Sequence, residues 1–137
     1  MTKQDINMIK QEIRNWKTGV VIYECEADTL KEAVKKAVKE GVNLSFADLR
    51  GVDLDNVNLH GADLSGADLS FADLTGANLR GVNFRGANLF NTNLQDVVGF
   101  STADWHNANF GQNLSQVERE VLKKHIRGRN TSRIIQH

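Results

Sequence analysis

From Val42 to Asp96 the chain divides into eleven successive five-residue units with no slip in register. In every unit the first position is Ala, Val or Thr, the second is Asp or Asn, and the third is Leu, with Phe84 the single exception. An α-helix buries one face only when apolar residues recur about every 3.6 positions, so a strict period of five drifts around the helix and leaves no face to bury. In extended backbone alternate residues share a face, which sends the first and third positions one way and the second the other. The last two positions then form a corner. Gly holds the fifth position in six of the eleven units, as a turn that needs positive φ requires. Repeated without interruption, such units wind the chain into a coil with its third positions inside.

After Asp96 one residue, Val97, reads as an insertion. The pattern then resumes as 98–102, 103–107 and 108–112, making fourteen units. The expected core column is Leu44, Leu49, Leu54, Leu59, Leu64, Leu69, Leu74, Leu79, Phe84, Leu89, Leu94, Phe100, Trp105 and Phe110. Its members grow toward the C-terminal end, from leucine to phenylalanine and tryptophan, as if to plug the last layer.

Written unit after unit, as in Ala62-Asp63-Leu64-Ser65-Gly66 and Ala77-Asn78-Leu79-Arg80-Gly81, the pattern resembles the pentapeptide-repeat family over about half of the chain. The resemblance implies an all-β solenoid: a right-handed quadrilateral β-helix with four units per coil. Fourteen units make about 3.5 coils, and at about 4.8 Å per coil the rod is about 17 Å tall. A narrow coil filled by Leu and Ala leaves only its outer faces to act, so the expected function is a non-enzymatic scaffold that binds a protein partner through those faces. Some family members, quinolone-resistance proteins among them, look like duplex DNA and engage DNA gyrase. A DNA-mimic modulator of DNA gyrase or another type II topoisomerase is therefore the alternative. Similarity to short phage and bacterial members adds a counter-defence role as a third reading.

A solenoid needs its open ends covered, and the flanks divide the chain into an N-terminal strand-helix cap (1–41), the repeats (42–112) and a C-terminal helix with a basic tail (113–137), all one domain. Thr29-Leu30-Lys31-Glu32 is a capping box that opens a helix, and Gly41 stands where it ends. Val20 to Cys25 is β-rich and is expected to extend the solenoid edge, while Ile6, Ile9, Ile13 and Trp16 suggest a further short helix. Ser115-Gln116-Val117-Glu118 opens a second helix, carrying Val117, Val121, Leu122 and Ile126. That helix would cap the last coil or pair two copies, giving a monomer or a homodimer.

Lys plus Arg equals Asp plus Glu at 17 each, so only local charge informs. A coil filled by leucine leaves no interior room for a substrate. His60, His106, His125 and His137 fall in no metal-ligand spacing, and the lone Cys25 is expected to be a buried thiol. No catalytic residue, metal or cofactor is expected. Arg80-Gly81-Val82-Asn83-Phe84-Arg85-Gly86 keeps the repeat register, so it is not read as a nucleic-acid segment. The N-terminus lacks an apolar run, which points to a cytoplasmic protein away from membranes.

Two groups on the outer faces are candidate partner sites. Residues twenty apart stack, so Asp53, Asp55, Asp73 and Asp96 should gather on the third side with no basic residue beside them. Phe71 and Phe90 should lie outside the core as neighbours, with Phe46 at the next corner, where either partner binding or corner packing would account for them.

Overall fold

A computed structural model of the chain describes residues 9–111 and Arg119. Two strands come first, β1 (Ile9–Arg14) and β2 (Val21–Ala27), paired antiparallel with Ile13 opposite Tyr23. A ten-residue helix, α1 (Leu30–Lys39), follows, and the repeats begin at Val42. Of the helix expected from Ile6, Ile9, Ile13 and Trp16, Ile6 lies outside the described residues, Ile9 and Ile13 stand instead in β1, and Trp16 lies in the turn that follows. The strand period explains the correction, because Ile13 is buried while Lys10, Glu12 and Arg14 form a charged outer row with Glu24. Nor does β2 extend the solenoid edge. Contact with the repeats comes from the end of β1, where Arg14 C=O accepts from Asp48 N–H at 2.7 Å and Asn15 bridges Ala47. Apart from Arg119, the C-terminal helix and basic tail lie outside the described residues.

α1 starts where Thr29 Oγ1 accepts the Glu32 N–H at 3.2 Å. It ends at Gly41, whose φ of 75° is left-handed. Gly41 N–H bonds Val38 C=O and Val42 N–H bonds Ala37 C=O, the paired closure of a Schellman motif. Ala33, Val34 and Ala37 are buried in the same core as Ile13, Leu44 and Leu49. Cys25 is only half-buried, because β2 packs one flank against α1 and leaves its edge open.

In the repeats the chain returns upon itself every twenty residues. Parallel bridges join Asp48 to Asp68, Asp53 to Asp73, Asn58 to Asn78 and Asp63 to Asn83, and continue from Asp68, Asp73 and Asn78 to Asn88, Asn93 and Val98. One unit shows how every backbone donor is used. Ala67 N–H closes the corner onto Leu64 C=O, Asp68 N–H reaches back to Ala47 C=O, and Leu69 N–H reaches forward to Asn88 C=O. Ser70 N–H is taken by the Asp68 carboxylate at 3.0 Å, and Phe71 N–H by Phe90 C=O. The second-position side chain is thus the acceptor for the fourth-position N–H, and the same bond recurs from Asn43 through Asn109. Asp and Asn recur because a buried-edge N–H without an acceptor is costly.

The exception to this chemistry explains the irregularity near Val97. Val98 bridges Asn78 and so holds the second position, with Val97 in the first. The extra residue therefore lies after Val98, not before it. A valine offers the next N–H no side-chain acceptor, and the corner is rebuilt as a 3₁₀ turn over Phe100–Thr102 behind left-handed Gly99. Thr102 Oγ1 then accepts the Gly81 N–H at 3.3 Å, which has no regular corner carbonyl below it. From Asp104 onward the bridges span twenty-one residues, Asn83 to Asp104 and Asn88 to Asn109.

Tyr23 ties β2 to the end of α1, its hydroxyl donating to Glu40 Oε2 at 2.9 Å. Desolvation first, and then the Glu40 carboxylate, push the phenol up to about 12. A raised acid pKa means the fold favours the neutral phenol, so this contribution is complete below pH 10 and is lost as pH climbs through about 12. Tyr23 is the only tyrosine, so tyrosinate absorbance should titrate as one step near pH 12, falling toward 10 in Glu40→Gln. A wild-type midpoint of 10 would place the ring in water instead.

Candidate functional site

The third-position side chains form a continuous interior. Leu44 through Leu79, Phe84, Leu89, Trp105 and Phe110 are fully buried and Leu94 nearly so, while Phe100 is half-buried because the rebuilt corner brings it in from the side. The outer faces are left to carry any site.

On the third side Asp53 and Asp73 stand in register one coil apart, with Asn93 next. Both carboxylates also serve their own corners, Asp53 for Asp55 N–H and Asp73 for Thr75 N–H and hydroxyl. Asp96 sits at a left-handed corner position, φ 60°, two coils from Asn56. The expectation that no base lies here is corrected by α1, whose Lys31 Nζ approaches Asp55 Oδ1 to 2.6 Å. That ammonium, and then the Asp53 side chain, hold the Asp55 carboxyl below its ordinary range, while Asp55 raises Lys31. Any associated stability is present above the ordinary carboxylate pKa and is lost as pH falls below it. The pair is part-exposed and worth little. The strip is therefore partly neutralised at its α1 end.

The adjoining side carries aromatics. It comprises residues 47–51, 67–71 and 87–91, stacked through the bridges at Asp48, Asp68 and Asn88. Phe46 stands at the corner where this side begins and Phe71 at the corner where it ends. Phe71 is 62% exposed and Phe90 41%, their rings edge to face at 5.8 Å. Phe90 lies over Gly111, where an added Cβ would come within 2.5 Å of the ring. Phe46 lies over Gly66 in the same manner. Its neighbour is Trp16 from the β1–β2 turn, 6.5 Å between centroids, with Trp16 Nε1 donating to Gly66 C=O at 2.6 Å. Lys17 Nζ stands 5.3 Å from the Phe46 ring and 5.8 Å from Trp16. Phe46 thus belongs to a second pair. Sequence reasoning missed Trp16, because a contact fifty residues apart leaves no local signal.

Phe46 and Phe71 have φ of 62° and 63°, in the left-handed region that bulky residues rarely enter. Asn56, Asn91, Asp96 and Asn107 fill other corners of this kind, as residues that tolerate it do. A phenylalanine held there costs about 1 to 3 kcal/mol. Phe46 recovers some of this by packing under Trp16, whereas Phe71 stays mostly in solvent.

A groove missed by the sequence analysis lies between α1 and the fourth side. It is about 400 Å³ in volume and is lined by Glu32, Lys35, Lys36, Val38, Lys39 and Asn58. Lys36 Nζ is held on Glu26 C=O and Lys35 Nζ on Glu32. Among the described residues no helix is long and apolar enough to cross a membrane.

A coil of five-residue units joined every twenty residues defines a repeat solenoid. Residues 40–70 and 67–97 match the family model of pentapeptide repeats, with eight copies, so this part of the chain is a run of pentapeptide repeats. Among solved structures it is similar to HetL, a pentapeptide repeat protein involved in heterocyst differentiation regulation from the cyanobacterium Nostoc sp. strain PCC 7120. Identity is 35%, over 51% of this chain and 37% of HetL, with a TM-score of 0.34. A pentapeptide repeat protein of the Arabidopsis thaliana thylakoid lumen is similar at 29% identity, over 66% of this chain and 70% of that one, with a TM-score of 0.24. The chain spans little more than a third of the length of HetL. Among curated proteins nothing matches.

Proposed function

We propose that the protein is a non-enzymatic scaffold that docks a protein partner on its aromatic side, centred on Phe71 and Phe90. In this reading the coil is the four-sided, right-handed rod of its family, α1 covers its N-terminal end, and the outer sides supply recognition. The observation that carries it is Phe71. A corner that Gly or Asn fills without strain holds instead a phenylalanine at φ 63°, with 62% of its surface in water. Stability alone favours the opposite choice. Exposed aromatics that cluster are common anchors of protein interfaces. The acidic strip supports a DNA-mimic reading less well, since Lys31 lies within it and three of its four carboxylates bond their own corners or Lys31.

Phe71→Asn should raise stability by about 1 kcal/mol, read as a higher urea midpoint, while abolishing partner capture from a host lysate. Phe90→Ser should weaken capture too, with a small stability loss from bared Gly111. Partner recovery unchanged by both substitutions would remove the aromatic side from the function.

A further inference from the structure

The size and chemistry of this side point to a particular kind of partner, an inference that rests on the docking reading above. We propose that the side spanning Trp16–Phe46 and Phe71–Phe90 binds an extended, polyproline-type segment with two apolar anchors three residues apart.

Area argues first. Between its corners the side is about 10 Å wide, and the three stacked units rise about 15 Å. That is a small fraction of the roughly 800 Å² per partner that a stable contact between folded surfaces takes. An extended segment needs far less, because its anchors settle against the rings while its backbone stays in water.

Backbone chemistry then selects among extended segments. A β-strand ligand needs a free edge of N–H and C=O groups. This side has none to offer a strand lying across it, since the donors from Ala47 to Gly51 and from Ala67 to Phe71 are all spent on Arg14, on neighbouring units and coils, or on Asp48 and Asp68. Recognition must be by side chains. Polyproline helix brings no unmet backbone pairing of its own and is read by aromatic-lined surfaces.

Spacing agrees. Phe46 and Phe71 stand one side-width and one coil apart, which puts the two ring pairs on the order of 11 Å from each other. One polyproline turn carries residue i to i+3 on the same face over about 9 Å, within about 2 Å of that separation; the i, i+4 positions of a strand, at about 13 Å, are equally near, so the choice between them rests on the backbone chemistry above. Lys17, held above the first ring pair, favours an acidic residue beside the first anchor. Asp48 and Arg50 on the same side are spent on each other, with two contacts at 2.7 and 2.8 Å.

Trp16 supplies the readout, being half-exposed while Trp105, the other tryptophan, is fully buried. Labelled peptides with prolines at i and i+3 and a flanking Glu would be titrated against the full chain. Anisotropy and Trp16 fluorescence would be followed, with i, i+2 and i, i+4 peptides as comparators. The i, i+3 peptide should bind saturably and at least ~tenfold tighter than either comparator, and Phe71→Asn should weaken it ~tenfold. The near-ultraviolet signal of Trp105 would verify that the variant is folded. Equal binding of all spacings, or binding indifferent to Phe71→Asn, overturns the proposal. Capture that depends on Phe71 and Phe90 while no peptide binds also overturns it and leaves the docking surface standing. Capture indifferent to both residues removes the docking surface itself.

Discussion

Trp105→Ala should be the most damaging single substitution in the coil, lowering stability by about 3 to 5 kcal/mol. The indole stacks on Phe84 with centroids 4.5 Å apart and an interplanar angle of 7°, and it meets Phe100 at 4.7 Å and Phe110 at 5.1 Å. Its Nε1 donates to Phe100 C=O at 2.8 Å, pinning the rebuilt corner. Removing it empties the centre of an aromatic layer whose rings are anchored to separate units, so the space cannot close by one side chain swinging in. Domains of this size hold roughly 5 to 15 kcal/mol in total, so the variant should lie near the edge of folding. Trp105→Phe keeps most of the volume but strands the Phe100 carbonyl, and should cost about 1 to 2 kcal/mol. Urea midpoints for the three proteins decide the matter. A midpoint for Trp105→Ala within error of wild type would mean the last coils contribute nothing to the cooperative unit.

Gly99→Ala should cost about 3 kcal/mol, summing a left-handed residue with a Cβ and a steric collision. Gly99 has φ 81°, and an added Cβ would stand 2.7 Å from Arg80 N and 2.8 Å from Arg80 Cα. Those are backbone atoms of the preceding coil, which cannot move without breaking the bridge from Asn78 to Val98. Gly86→Ala is the control. It shares the positive φ, at 68°, but its Cβ would meet nothing within 4 Å, so it should cost only about 1 kcal/mol. Equal losses at Gly86 and Gly99 would show that backbone conformation alone matters. A larger loss at Gly99 locates the insertion's structural demand at this contact.

The two glycines also mark how far the sequence could be read. Gly86 sits in an unbroken unit, and its corner followed from the period of five. Gly99 looked like an ordinary second-position residue until the bridge from Val98 to Asn78 moved the register by one. The period identifies which residues stack, because a repeat with a fixed advance carries its geometry in its spacing. It says nothing of how an interruption is absorbed, since that depends on which coil lies against it. The Asp and Asn of the second position were legible as a pattern. Their role as acceptors for the fourth-position N–H became visible only with the corner's geometry.

The candidate site divides along the same line. That Phe71 and Phe90 neighbour each other outside the core follows from their positions in successive coils. That Phe46 is half-covered by Trp16 does not, nor does the Lys31 ammonium on the acidic strip. Both come from the non-repeating N-terminal segment, where strand and helix signals were mixed. Ile9, Ile13 and Trp16 fit a helical period, while Ile9 and Ile13 alone fit a strand one too, and the choice was made by pairing with β2 and by the Arg14 contact to Asp48. By itself the sequence determined the coil, its inward leucines and its left-handed corners, because these follow from local periodicity and per-residue conformational preference. Only the tertiary structure decided where the ends touch the coil and which aromatic and charged groups they cover, because those contacts join residues far apart in the chain whose meeting no local pattern encodes.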